Sequence, residues 1–224
     1  MISKMQGQER WKLSSDNKKV SYEVVKRLPR YYRYLGELLK NNVMRVSSKE
    51  LSERMNVTAS QIRQDLNCFG GFGQQGYGYN VESLYKAIGE ILGLYIGQKT
   101  IIIGAGYLGH ALANYKSFEN RGFKLIGIFD TSPEKIGKSI NNHEILSMDT
   151  IDDFIMNNKP DIAILAVPKV VATEVAQKLV DLGIKGLLNF CYTDILVPDD
   201  VSVENVHLSD SLMTLSYKIS NKNN

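Results

Sequence analysis

Cysteine is nearly missing: Cys68 and Cys191 are the only two in 224 residues, and they lie far apart. That excludes a disulfide framework and a zinc-ligand spacing, and it fits a reducing, cytoplasmic setting. No run of apolar residues reaches the length of a membrane-spanning helix, so no membrane partner is expected. The opening stretch MISKMQGQERWKLSSDNKK has no apolar centre and does not read as a signal peptide. No low-complexity tract argues for general disorder. Histidine is also sparse. His110, His143 and His207 stand in unrelated segments, and none joins a Ser/His/Asp or metal-ligand cluster, so neither a catalytic residue nor a metal is expected.

The chain has room for one large domain or two modest ones, with a hydrophobic content of 43% to fill their cores. Its net charge of +3 is unevenly spread. Residues 1–90 hold 15 Lys+Arg against 9 Asp+Glu, whereas residues 91–224 hold 12 against 15. A basic front on a mildly acidic back suggests a polyanionic partner for the front alone.

Residues 1–17 are polar and aperiodic and read as a flexible extension. From Tyr22 the apolar spacing is helical. Pro29 interrupts it, which predicts one short helix to Leu28 and a second from Pro29 to about Asn41. Two capping boxes follow, Ser47-Ser48-Lys49-Glu50 and Thr58-Ala59-Ser60-Gln61, each placing a hydroxyl at N-cap and an acceptor three residues on. With Leu51, Met55, Val57, Ile62 and Leu66 as shared core, this is helix-turn-helix spacing. FGGFGQQGYGYNV, residues 69–81, then reads as a β-hairpin wing turning at Gln74-Gln75-Gly76. Glu82–Leu94 is a helix leading into the second half.

Beyond Lys99 the pattern alternates. TIIIG, KLIGIFD, DIAILAVP, GLLNF and VSVENV are short buried strands with helical stretches between them, Lys169–Leu182 being the clearest. Such alternation predicts an α/β, doubly wound, mostly parallel sheet of Rossmann type. A last helix, Ser209–Ile219, carries Leu212, Met213, Leu215 and Ile219 on one face.

Gly104-Ala105-Gly106-Tyr107-Leu108-Gly109 joins the first of these strands to a helix. In that context Gly104 permits a tight turn, Gly106 lets backbone approach a pyrophosphate, and Gly109 lets helix and strand pack closely. Asp130 ends the next strand 21 residues after Gly109, where a carboxylate accepts from ribose hydroxyls and repels a 2′-phosphate. NAD(H) is therefore the expected ligand. A dehydrogenase needs a substrate domain and an acid/base group. No length of chain remains for the first, and the histidines do not supply the second: His110 lies at a helix start, His143 in a polar turn, and His207 at a strand end. Cys191 reads as a small buried filler.

In the front half, TASQIRQDLN would enter a DNA major groove. Its outward positions include Ala59, Ser60, Gln61, Arg63 and Gln64, with Thr58 at the cap. Arg63 suits guanine and either glutamine suits adenine. Ser47, Ser48 and Lys49 can meet phosphates, and Gln74, Gln75 and Tyr77 place the wing along the minor groove.

Both halves together resemble the Rex family of bacterial redox-sensing transcriptional repressors. The likeness spans residues 18–219 and rests on KRLPRYYRYL, RVSSKEL, QIRQDLNCFGGFGQQGYGYNV, IIIGAGYLGHALANY, GIFDTSPEKIGK, IAILAVPK and GIKGLLNF. It implies a winged helix-turn-helix domain over 18–90, a Rossmann NAD(H)-binding domain over 91–207, and a C-terminal helix and tail over 208–224 that swap across a homodimer. It further implies binding to an inverted-repeat operator in double-stranded DNA, release by NADH opposed by NAD+, and control of fermentation and anaerobic respiration genes. Tyr115 matches a tyrosine beside the nicotinamide, and Val167, Pro168, Asn189 and Phe190 fall in the motifs lining that ligand. The chain departs from the family at three places. Cys191-Tyr192 stands where Ala-Pro or Thr-Pro is usual, Asn67-Cys68 where Ser-Tyr is usual, and His207 where some members carry an aspartate that pairs, across the dimer, with the partner subunit's counterpart of Tyr115. Tyr115 and His207 are thus the candidate switch residues. Two other readings stay open: a small oxidoreductase dimerised by its front half, and a DNA-binding protein that treats NADH and NAD+ alike.

Overall fold

The computed structural model describes residues 20–70, 72–74 and 77–221. The extension over 1–17 and the wing residue Gln75 lie outside the described residues, as does the side chain of Gln74. The chain divides into two compact units between Gly93 and Leu94.

The first unit begins with a single helix, α1 (Tyr22–Lys40), where the sequence predicts two. Pro29 sits inside it on the exposed side. Its missing N–H leaves the Val25 carbonyl without a helical donor, a defect worth about 3 kcal/mol in an exposed helix. The opposite face overrides it: Val24, Leu28, Tyr31, Tyr32 and Leu35 form one buried stripe continuing past the proline. Tyr32 stacks on Tyr85 with ring centroids 4.2 Å apart.

Strand β1 (Arg45–Val46) leads to α2 (Ser48–Met55) and α3 (Ala59–Asn67). The first capping box closes fully: Ser47 Oγ accepts from Glu50 N–H, and Ser47 N–H donates to Glu50 Oε2. Of the second, only the hydroxyl half forms, because Thr58 Oγ1 accepts from Gln61 N–H while the Gln61 side chain turns to Asp65. Leu51, Met55, Ile62 and Leu66 are buried between the helices. Strands β2 (Gly73–Gln74) and β3 (Gly78–Asn80) pair antiparallel, and β1 joins the other side of β3 in a three-stranded sheet. Helix α4 (Val81–Ile91), capped by the Asn80 side chain, stops short of Leu94 because the chain turns through Gly93 at φ +68°.

The second unit contains β4 (Gln98–Ile103), α5 (Tyr107–Ala113), β5 (Phe123–Asp130), β6 (Ser139–Ile140), β7 (His143–Ser147), α6 (Ile151–Asn158), β8 (Ile162–Leu165), α7 (Lys169–Asp181), β9 (Gly186–Asn189), β10 (Ser202–Asn205) and α8 (Leu208–Ser220). Its sheet order is β10-β9-β8-β4-β5-β7-β6. Every pairing is parallel except β6 with β7. Reading outward from β4 gives the doubly wound order, with its switch point between β4 and β8. Ile101, Ile103, Phe129, Ala163 and Leu165 face α6 and α7, while Ile102, Ile128 and Ile164 face the side of α5.

The polar turn expected around His143 is present, as the tip of a hairpin: Asn141 and Asn142, at φ +48° and +64°, make the two-residue turn between β6 and β7. Asn141 Nδ2 also donates to the Ala113 carbonyl at 2.9 Å, fastening the hairpin to the end of α5. His207 does not end a strand. β10 stops at Asn205, Val206 N–H donates to the Asn189 carbonyl, and His207 becomes the residue preceding α8. No residue of α8 is buried; Leu212, Met213, Leu215 and Ile219 are all exposed.

Candidate functional site

The glycine loop sits at the switch point. Gly104 has φ +100°, and a Cβ there would collide with the Ala166 carbonyl oxygen at the end of β8. Only glycine brings the two strand ends this close. Gly109 has ordinary dihedral freedom, but a Cβ on it would run into the Gly104 carbonyl oxygen, so α5 can lie on β4 only without one. Gly106 is different. Its φ is −77°, and a Cβ would meet no protein atom within 4 Å. Nothing inside the protein requires glycine at this point. The open approach fits an external group against backbone N–H, which is what a dinucleotide pyrophosphate needs. Ala105 is buried, Leu108 half-buried, and Tyr107 wholly exposed. His110, in the first turn of α5, is exposed, with Nδ1 beside Asn114 Nδ2 at 3.2 Å.

Asp130 ends β5 next to this loop and is buried. Its Oδ2 accepts from Ala105 N–H at 2.7 Å and from Lys135 Nζ at 3.0 Å, and Oδ1 accepts from Ser132 N–H at 2.8 Å. Burial alone would raise the carboxyl pKa, but these three donors outweigh it and hold the group below its ordinary range. A carboxylate offers about four lone-pair positions, so little accepting capacity remains for a ribose. Lys135, half-exposed, pairs with the carboxylate, a partner absent from the sequence reading although the cation stands five residues beyond the strand-end acid.

The remaining predicted ligand residues lie at the carboxyl ends of β8 and β9 or after α5. Val167 is half-buried, with a methyl 3.1 Å from where a Cβ on Gly104 would fall; Pro168 is exposed at the start of α7. Asn189 is fully buried and committed to the protein. Its Nδ2 donates to the Thr193 carbonyl and to Asn205 Oδ1, both at 2.8 Å, and its Oδ1 accepts from Cys191 N–H at 2.9 Å. These bonds fix the loop that follows β9. Phe190 packs into the cluster containing Ala105 and Ile164. Cys191 is buried, and burial pushes its thiol pKa up, as suits a filler. Tyr115 is exposed, edge-on to Phe118 at 5.0 Å. His207 meets Tyr192 edge-on at 5.4 Å, and its Nδ1 is buried with no hydrogen-bond partner.

In the first unit, Ser60, Arg63, Gln64 and Asn67 are exposed at i, i+3, i+4 and i+7 and make one outward stripe on α3. Of the other residues expected to face outward, Ala59 and Gln61 are half-buried on the flank, and Asn67 joins the stripe. Gln61 is held by Asp65 (Nε2–Oδ1 2.8 Å), and Arg63 Nη1 donates to Ser48 Oγ at 3.0 Å, joining α3 to the start of α2. Lys49 is exposed there, whereas the Ser47 and Thr58 hydroxyls are engaged as caps. On the wing, Tyr77 is exposed with the Arg45 guanidinium over its ring at 5.8 Å. Arg45 Nη1 also donates to the Tyr77 carbonyl at 3.3 Å.

Among the described residues no helix is long and apolar enough to cross a membrane, and no three His, Cys, Asp or Glu side chains are grouped to hold a metal ion. Family models match two segments: residues 19–67 fit "Putative DNA-binding protein N-terminus" and residues 97–193 fit "CoA binding domain". The redox-sensing transcriptional repressor Rex of Thermoanaerobacter pseudethanolicus is 60% identical over 205 residues, 92% of each chain. The repressor of the same name from Clostridium perfringens strain 13 is 56% identical over 200 residues, 89% of this chain and 94% of its own. Among solved structures, RSP in complex with β-NAD+ and operator DNA is 60% identical with a TM-score of 0.86, covering 91% of this chain and 94% of that one. RSP in complex with β-NADH is 56% identical, also at 0.86, covering 92% and 96%. Nearly the whole of both units is shared in sequence and in backbone, and the chain belongs to the Rex family of redox-sensing transcriptional repressors.

Proposed function

We propose that this protein is a transcriptional repressor that binds an inverted-repeat operator as a homodimer in the cytoplasm and leaves it when NADH replaces NAD+. The observation that carries the reading is Gly106, open to an external group at the switch point of a doubly wound sheet, on the same chain as a capped helix with an exposed Ser60/Arg63/Gln64/Asn67 stripe. It is supported by solved relatives described with β-NAD+ and operator DNA and with β-NADH. In this reading the glycine loop and the first turn of α5 hold the pyrophosphate. Asp130, fixed by Ala105, Ser132 and Lys135, faces the adenosine ribose and disfavours a 2′-phosphate. Tyr115, Val167, Pro168 and Phe190 lie toward the nicotinamide. That ring, when bound, is neutral if reduced and cationic if oxidised, and discrimination needs only that difference.

Binding without turnover suffices. A ligand shifts an equilibrium by its difference in affinity for the two states, so a 100-fold preference of NADH for the DNA-free state supplies about 2.7 kcal/mol. The exposed apolar face of α8 is the surface for the second copy, as the family resemblance implies. Released genes are those of fermentation and anaerobic respiration. Fluorescence anisotropy on an A/T-rich inverted repeat, at fixed salt, tests the reading. NADH should lower operator affinity at least about tenfold, with NAD+ restoring it. Tight binding indifferent to both nucleotides would refute redox sensing.

A further inference from the structure

Asp65 is a fully buried charge in the middle of the helix assigned to DNA, and the function just proposed gives it no task. It accepts from Arg27 Nε at 2.6 Å and Nη2 at 2.8 Å, from Tyr31 Oη at 2.6 Å, and from Gln61 Nε2 at 2.8 Å. Burying a carboxylate is costly, and apolar side chains of similar volume often do as well for stability. Packing of α1 against α3 therefore does not by itself call for this group.

Two of the partners, Arg27 and Tyr31, tie α3 to α1. The third stays on α3. Gln61 lies half-buried in the first turn, on the flank of the outward stripe, with Ser60 and Gln64 as exposed neighbours. A glutamine amide has a donor end and an acceptor end of nearly the same shape, and a carboxylate only accepts. Asp65 can therefore hold only the NH2 end of Gln61. The flip is decided: Nε2 points to the buried carboxylate, and Oε1 is turned away from it.

We infer that Asp65 is a positioning residue for base readout, which fixes the Gln61 amide so that its carbonyl oxygen accepts from base amino groups, adenine N6 or cytosine N4, and disfavours guanine and thymine keto edges. The major groove distinguishes bases by such donors and acceptors. Arg63, on the other flank of the stripe, offers only donors. The helix thus presents a donor on one flank and a fixed acceptor on the other. This inference rests on the DNA-binding assignment above.

Selection of the full-length protein against a random-sequence duplex pool tests it, whatever the operator sequence is. Wild type should enrich a two-fold motif in which one base pair per half-site favours an amino-bearing base by roughly fivefold to tenfold. In D65N the amide of the new side chain can offer either end to Gln61, and that preference should fall to within about twofold while the other positions persist. Gln61→Met, which leaves Asp65 with Arg27 and Tyr31, should lose the same position, and the double variant should lose no more. A D65N protein weakened equally on all sequences, with its motif intact, would reduce Asp65 to a structural residue and overturn the inference. Should D65N fail to fold, Gln61→Met decides, because an unchanged motif contradicts readout by Gln61. If wild type enriches no sequence, the DNA-binding assignment itself falls; if it enriches a motif that both variants leave intact, only this inference does.

Discussion

Three glycines share one loop, yet an added methyl group should have three different consequences. At Gly104 alanine would be strained by about 1–2 kcal/mol at φ +100° and would push against the Ala166 carbonyl, adding the 1–3 kcal/mol typical of overpacking. A loss of about 2–5 kcal/mol is expected. At Gly109 the backbone is already helical, so only the collision with the Gly104 carbonyl counts, offset by about 0.5–1 kcal/mol of helix preference. Setting that against the 1–3 kcal/mol typical of overpacking leaves a net loss of about 0–2.5 kcal/mol. At Gly106, with φ −77° and no protein atom within reach, alanine should leave stability unchanged or raise it by about 0.4–1 kcal/mol. The same methyl stands where a pyrophosphate would approach, and NADH affinity should fall at least about tenfold. Urea unfolding followed by far-ultraviolet circular dichroism gives the stabilities, and the fluorescence of bound NADH gives the affinities. The reasoning is refuted if Gly106→Ala unfolds more easily than wild type, or if it binds NADH as tightly.

Arg63→Ala should cost about 1–3 kcal/mol on operator DNA and relax one motif position, whereas Lys49→Ala should weaken all sequences alike and reduce the salt slope by about one; anisotropy across a salt series separates them. Pro29→Ala should raise the stability of the first unit by about 1–3 kcal/mol in urea unfolding, because the Val25 carbonyl regains a donor on the exposed face of α1. Asp65 is held below the ordinary carboxyl range: burial opposes this, and hydrogen bonds from Arg27, Tyr31 and Gln61 prevail. Its ionised form therefore stabilises the fold above the unfolded pKa of about 3.9, and that contribution fades as pH falls through the lower folded value. The stability gap between wild type and D65N should be constant near neutrality and close in acid; a gap that widened on acidification would contradict the assignment.

Periodicity and caps make most elements legible in the chain itself. The strands TIIIG and KLIGIFD, the glycine loop between strand and helix, and the two capped helices all follow from local chemistry. What escaped was decided by partners distant in sequence. Pro29 reads as a helix start, but a buried stripe on the far face carries α1 through it. Asn141-Asn142 reads as polar loop, and only pairing of Ser139-Ile140 with His143-Glu144 shows the hairpin. Gln61 reads as an amide with both ends free, because nothing local announces that Asp65 is buried against Arg27 and Tyr31 and holds its NH2 end. Nothing local announces that the Asn189 amide is engaged by Cys191, Thr193 and Asn205. Position along an element can be read from the sequence; which polar atoms are already spent cannot.

The short antiparallel β6 has a consequence for life in a crowded solution. Parallel sheets end in strands whose outer backbone groups invite any passing extended chain to add itself. Here β7 meets a two-residue strand that folds straight back through Asn141-Asn142 and is stitched by Asn141 to Ala113. An incoming strand at that border finds a brief, bent rim with no long ladder to extend. That border, unlike the one at β10, is closed against runaway stacking by four residues of turn and strand.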